Sequence, residues 1–147
     1  MNIWNSKTYR EDIFNVLPQL DTEALNEKSI LITGASGLIG SAIVDLLIGY
    51  NLKKMAKITI YAAGRNPEKI SHRFSHGLNA GLIPVAYDAT QDIHFDFKVD
   101  YIIHGASKNP KVRTLHKIAN TFNMTLSEFL DFPELNEYPL DDEDDEN

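Results

Sequence analysis

The sequence predicts an α/β fold: a parallel sheet of about four strands, with flanking helices and a helical C-terminal segment. Three observations carry that prediction. Short β-rich runs and helical runs follow one another as strand, helix, strand, helix, strand, strand, an order that builds parallel sheets with helices on their faces. A glycine-rich turn follows the first strand-like run and opens a helix. That helix, "LIGSAIVDLLIGY", is apolar over most of its circumference, as a helix packed on a sheet is and a helix facing water is not.

Each element has its own local reason. Residues 5–17 read as a helix with Tyr9, Ile13, Phe14 and Leu17 on one side and Pro18 beyond its end. Asp21 is placed to cap a short helix through Leu25. "SILIT", residues 29–33, is the first strand, and Leu38, Ile39, Ile43, Leu46 and Leu47 give the following helix its apolar surface. "KITIYAA", residues 57–63, is the second strand. Asn66, Pro67 and Glu68 then supply a cap with proline at the first helical position. "GLIPVAYD" from Gly81 and "DYIIHGAS" from Asp100 supply the third and fourth strands. After Pro110, Val112, Leu115, Ile118 and Ala119 recur at helical spacing, and Thr125 with Glu128 forms a capping box ahead of Leu126, Phe129 and Leu130. Two short helices are expected between residues 112 and 131.

Composition narrows the chemistry. The 147 residues include no cysteine, which excludes disulfides, thiolate metal sites and cysteine nucleophiles. No signal-peptide pattern and no long apolar run are present, so a soluble, cytoplasmic protein without a membrane partner is expected. The net charge of -7 lies entirely in residues 109–147, where ten acidic residues face three basic ones. Six of those acids run from Asp141 to Glu146, a self-repelling block expected to be a disordered tail. His72, His76 and His116 show no metal-gathering spacing, and His104, at the end of a buried strand, reads as a hydrogen-bonded structural histidine.

The glycine turn "TGASGLIG" makes specific demands. Gly34 permits the tight turn, Gly37 lets the backbone approach a pyrophosphate, and Gly40 lets the helix pack closely on the sheet. Backbone N–H groups over Ser36, Leu38 and Ile39 then face an anion at the helix start. The motif resembles the fingerprint of the extended short-chain dehydrogenase/reductases, in particular the NAD-dependent epimerase/dehydratase family, over residues 28–107. The resemblance implies a truncated Rossmann-like sheet and an NAD or NADP cofactor. It also implies that Asp88 lies beside the adenine and that Gly105, Ala106 and Ser107 line the cofactor. After the second strand a carboxylate would hold the ribose hydroxyls of NAD. This chain has "AAGRN" there, so Arg65 either pairs with a 2'-phosphate, stacks on adenine, or is a solvated helix-capping residue.

The family resembled uses a Tyr-x-x-x-Lys pair, in which the lysine lowers the pKa of the tyrosine acid/base. The spacing occurs once, at Tyr50 and Lys54, on the edge away from the glycine turn, so Tyr50 reads as a helix-end packing residue and no catalytic residue is assigned. Residues 109–132 resemble something else, the C-terminal half of a repressor-type helix-turn-helix domain. Its basic residues, Lys111, Arg113 and Lys117, stand against the ten acids of residues 109–147, which argues against a nucleic-acid partner. Three parts are therefore expected: a partial Rossmann-like NAD(P)-binding domain over residues 1–108, two short helices over 109–133, and the acidic tail over 134–147. The reading is a partial NAD(P)-binding protein without activity of its own that forms a homodimer, because of its open sheet edge and the apolar stripe of Leu115, Ile118, Phe122, Leu126, Phe129 and Leu130. The alternatives are a structural or interaction protein with an empty nucleotide loop, a fragment of a sugar-nucleotide epimerase/dehydratase, and a regulatory fragment acting on a repressor partner.

Overall fold

The computed structural model describes residues 2–19, 23–54, 56–105 and 112–130. Its strands are β1 (Ser29–Thr33), β2 (Thr59–Gly64), β3 (Leu82–Ala86) and β4 (Tyr101–His104), paired in parallel in the order β3-β2-β1-β4. Ser29 lies opposite Thr59, Ile60 opposite Leu82, and Thr33 opposite both Ala63 and His104. The chain thus steps outward from β1 through β2 to β3, then returns to the other side of β1 as β4. That reversal puts the topological switch point between β1 and β4, where open α/β sheets present a crevice beyond the carboxyl ends of their strands. This is the parallel, helix-flanked sheet, Rossmann-like in its strand order, that the sequence predicts.

One face of the sheet packs on helices. Ile30, Ile32, Ile60 and Ala62 meet Val44, Leu47 and Ile48 of α2 (Leu38–Lys54) and Ile70 of α3 (Pro67–Arg73), with Phe74 just beyond it. A further helix, α1 (Lys7–Val16), lies on the outer side of α2. This explains why α2 is apolar nearly all round: it has protein on two sides. The other face, with Leu31, Tyr61, Ala63 and Val85, is covered by an aromatic cluster. Phe97 stacks on Tyr61 at 4.1 Å and on Phe95 at 4.7 Å between ring centres, and Phe122 meets Phe95 edge-on. Phe122 follows α4 (Val112–Thr121), which folds back so that Phe95 N–H donates to the Thr121 carbonyl at 2.8 Å. A last short helix, α5 (Leu126–Phe129), follows.

The local signals are realised where they were read. The Asn66 side chain accepts from Lys69 N–H with Pro67 at the helix start. Glu128 N–H donates to Thr125 Oγ1 at 3.2 Å while Thr125 N–H donates to Glu128 at 2.7 Å, which closes the capping box. Several boundaries differ by a few residues, two of them for a clear physical reason. The N-terminal helix stops at Val16 and runs into a 3₁₀ turn over Leu17–Gln19, because Pro18 lacks the N–H an α-helix needs. The second strand begins at Thr59 instead of Lys57, because the Asn51 side chain takes both the N–H and the carbonyl of Ile58. Glu23–Leu25 forms a 3₁₀ turn, while the proposed cap Asp21 and the acidic tail lie outside the described residues.

Candidate functional site

At the carboxyl end of β1 the backbone turns with Gly34 at φ 69°, a left-handed conformation that glycine adopts without strain. Gly37 N–H donates to the Gly34 carbonyl at 2.9 Å and tightens the loop. A Cβ on Gly40 would fall 2.3 Å from the Gly34 oxygen, and one on Gly105 would fall 2.9 Å from Gly40 Cα and from the Thr33 oxygen. The end of β1, the start of α2 and the end of β4 therefore meet backbone to backbone, at the switch point. Beyond this contact Ser36, Gly37, Leu38 and Ile39 are exposed, Leu38 at 90%. No acidic residue occupies the first turn of α2, so nothing in that turn neutralises the positive end of the helix dipole.

The other expected residues follow the remaining strands at the same edge. Arg65 comes directly after β2 and is exposed, and Asp88 lies two residues past β3 and is half-buried. Thr90 donates to Asp88 Oδ1 through its N–H at 2.9 Å and its hydroxyl at 2.7 Å. Those two bonds, with the charges of Arg65 and Lys117 nearby, hold the Asp88 carboxyl below the usual carboxylate pKa. Lys117 of α4 donates to the Ala89 carbonyl, tying α4 to this loop. His104 Nδ1 and Thr33 Oγ1 lie 2.6 Å apart across β4 and β1, the structural pairing expected of that histidine. Each strand thus delivers one candidate just past its carboxyl end: Gly34, Arg65, Asp88 and Gly105. Ala106 and Ser107 lie outside the described residues. Tyr50 is 6% exposed and packs in the helix-side core. A cavity of about 500 Å³ lies elsewhere, between residues 91–94 and the last two helices, lined by His94, His116, Lys117 and Asn120. Among the described residues no group of three metal-ligating side chains converges, and no helix is long and apolar enough to cross a membrane.

A second constellation escaped the sequence reading. Asp45, on the α1 side of α2, is 0% exposed and accepts from Arg73 Nη2 at 2.6 Å, Tyr9 hydroxyl at 2.8 Å and His76 Nε2 at 3.0 Å. Trp4 stacks on the His76 ring at 4.0 Å, and His76 Nδ1 is buried without a partner among the described residues. Burial alone would raise the Asp45 pKa, but the bonds from His76, Arg73 and Tyr9 outweigh it and the carboxyl sits below its ordinary value. Burial and the bond to Asp45 push the Tyr9 hydroxyl up to about 12. One signal was available: Asp45 is the single charged residue between Leu38 and Leu52. Its partners are far along the chain, so no spacing rule joins them.

The family model described as NAD dependent epimerase/dehydratase family matches residues 30–127, about two-thirds of the chain. The match spans all four strands and continues past residue 108 through α4, so most of the segment likened to a repressor half-domain falls inside it. No curated protein matches the chain significantly.

Proposed function

Because the chain belongs to the NAD dependent epimerase/dehydratase family, we propose that it binds NAD or NADP across the carboxyl ends of its strands. The observation that carries this reading is the backbone contact of Gly34, Gly40 and Gly105 at the switch point, which leaves the first N–H groups of α2 open. Ser36, Gly37, Leu38 and Ile39 would cradle the pyrophosphate. Arg65 would take a 2'-phosphate or stack on adenine, and Asp88, whose Oδ1 is held by Thr90, would turn Oδ2 to the adenine amino group. Ala106 and Ser107 complete the proposed lining. The cofactor would supply hydride chemistry, but the reading assigns this chain no catalytic acid or base, since its Tyr-x-x-x-Lys spacing lies at Tyr50, in the core.

Calorimetry with each dinucleotide tests the site. Saturable heat is expected with at least one of them, and no saturable heat with either at about 1 mM would sink the reading. Arg65→Ala separates the roles of that residue. A loss of about tenfold in NADP affinity with NAD unchanged marks a phosphate contact, since charge-assisted bonds are worth about 1.5–3 kcal/mol.

Self-association is the second part of the proposal. Of the two outer strands, β3 carries Pro84, which cannot donate to a further strand, whereas β4 carries no proline and exposes Tyr101. Pairing of two copies through β4 is the arrangement proposed. Sedimentation should give twice 16.6 kDa. A mass of 16.6 kDa that holds up to about 100 μM would defeat it.

A further inference from the structure

Residues 2–19 touch the rest of the described chain through few polar contacts, and these converge. Asn2 Nδ2 donates to the Arg73 carbonyl at 2.9 Å, Arg73 Nη1 donates to Asn2 Oδ1 at 3.3 Å, and the Tyr9 hydroxyl donates to Asp45 at 2.8 Å. Arg73 is itself bound to Asp45. The remaining hydrogen bonds of this segment, such as Arg10 to the Trp4 carbonyl, stay within it. None enters the sheet, whose register is complete among its own four strands.

Most apolar contacts of the segment fall on the outer side of α2, and Leu17, 3% exposed, is its one fully buried residue in the helix-side core. Gly49 of α2 faces Ile13 and Phe14 of α1, and the Lys53 ammonium lies 4.7 Å from the Phe14 ring centre. With Asp45 these residues form a stripe at every fourth position, which is one side of a helix. Aspartate, glycine and lysine tolerate water, whereas the side of α2 turned to the sheet is Val44, Leu47 and Ile48. At ten residues, α1 is too short to hold helical structure on its own.

We propose that residues 2–19 form a strap over α2, fastened at Asp45, that opens as one unit while the four-stranded sheet stays closed. The groups that face the Asp45 carboxylate are Tyr9 from α1, Arg73 from α3 and His76 from the turn after α3. Loss of its charge, or of these donors, undoes the fastening. The acid limit follows from the carboxyl's low pKa. Its contribution is present above the ordinary carboxylate range and is lost as pH falls through the lower folded value. The alkaline limit is set by Tyr9, whose contribution is present below its ordinary pKa and is lost as pH rises toward about 12.

Hydrogen exchange read by mass spectrometry on the full chain tests the strap. Tyr9→Phe removes one bond to a charged acceptor and should speed exchange over residues 7–17 by about tenfold, with residues 29–33 and 59–64 unchanged. Asp45→Asn should speed the same segment by about a hundredfold. An equal rise in segment and strands would show that the segment opens only with the whole molecule, and would overturn the proposal. So would an unchanged segment in Tyr9→Phe. If Asp45→Asn fails to fold, acid titration of the unaltered protein decides. Trp4 is the sole tryptophan and stacks on His76, so its emission reports on the contact between the strap and the body. A red shift below about pH 4, ahead of the loss of strand circular dichroism, supports the strap. Simultaneous loss rejects it.

Discussion

Gly40→Ala is expected to cost about 3 kcal/mol or more of stability, at the upper end of what overpacking does. The added Cβ would lie 2.3 Å from the Gly34 oxygen, 3.0 Å from its carbon and 3.2 Å from Ala35 Cα. All three are backbone atoms, so no side chain can rotate away. Gly34 is fixed by its positive φ and by its bond from Gly37, and Gly105 closes the opposite side. Relief therefore requires α2 to move off β1 and β4 together. Gly49→Ala is the control. Its Cβ would meet only side-chain atoms, Ile13 at 3.0 Å and the Phe14 ring at 3.5 Å. Alanine also favours a helix by about 1 kcal/mol, so its effect should stay within that amount in either direction. Urea unfolding midpoints measure both, and equal midpoints for Gly40→Ala and the unaltered chain would refute the close-contact argument.

Asn51→Asp is expected to cost about 3–5 kcal/mol at neutral pH, though the two side chains have the same shape. Asn51 is 8% exposed and lies near the end of α2. Its Nδ2 donates to the Ile58 carbonyl at 2.8 Å and the Ala80 carbonyl at 2.7 Å, while its Oδ1 accepts from Ile58 N–H at 3.0 Å. One amide thus joins α2 to the approach to β2 and to the segment before β3. A carboxylate keeps the acceptor and turns an oxygen toward both carbonyls. The new carboxyl would hold its proton more tightly in the folded chain than in the unfolded one. Stability should therefore be highest below about pH 4 and fall as pH rises toward the raised folded pKa. Thermal unfolding across pH measures this, and a deficit that does not shrink in acid would contradict the proposed geometry.

Both positions show what local reading reaches. The spacing of Gly34, Gly37 and Gly40 marked the turn, because each glycine answers a need set within a few residues. It did not show that Gly105 closes against Gly40, which depends on β4 pairing beside β1. Arg65 is legible from its place after the second strand and Asp88 from the family resemblance, and the parallel pairing is what brings them to one edge with the glycine turn. Asn51 carries no local signal, since what its amide holds together, Ile58 and Ala80, depends on how β2 and β3 are brought beside the end of α2.

The sequence by itself determined the order and type of the elements, the caps at Asn66 and Thr125, and the glycine turn, because backbone preferences and capping act between near neighbours. Tertiary structure alone decided that α1 covers α2 and that Phe95, Phe97 and Phe122 cover the second sheet face. It also decided that Asp45 is buried among Arg73, His76 and Tyr9. Those partners stand 28, 31 and 36 positions from it. A buried charge is tolerated only where the fold brings its counter-groups, and no local pattern records where the chain will return.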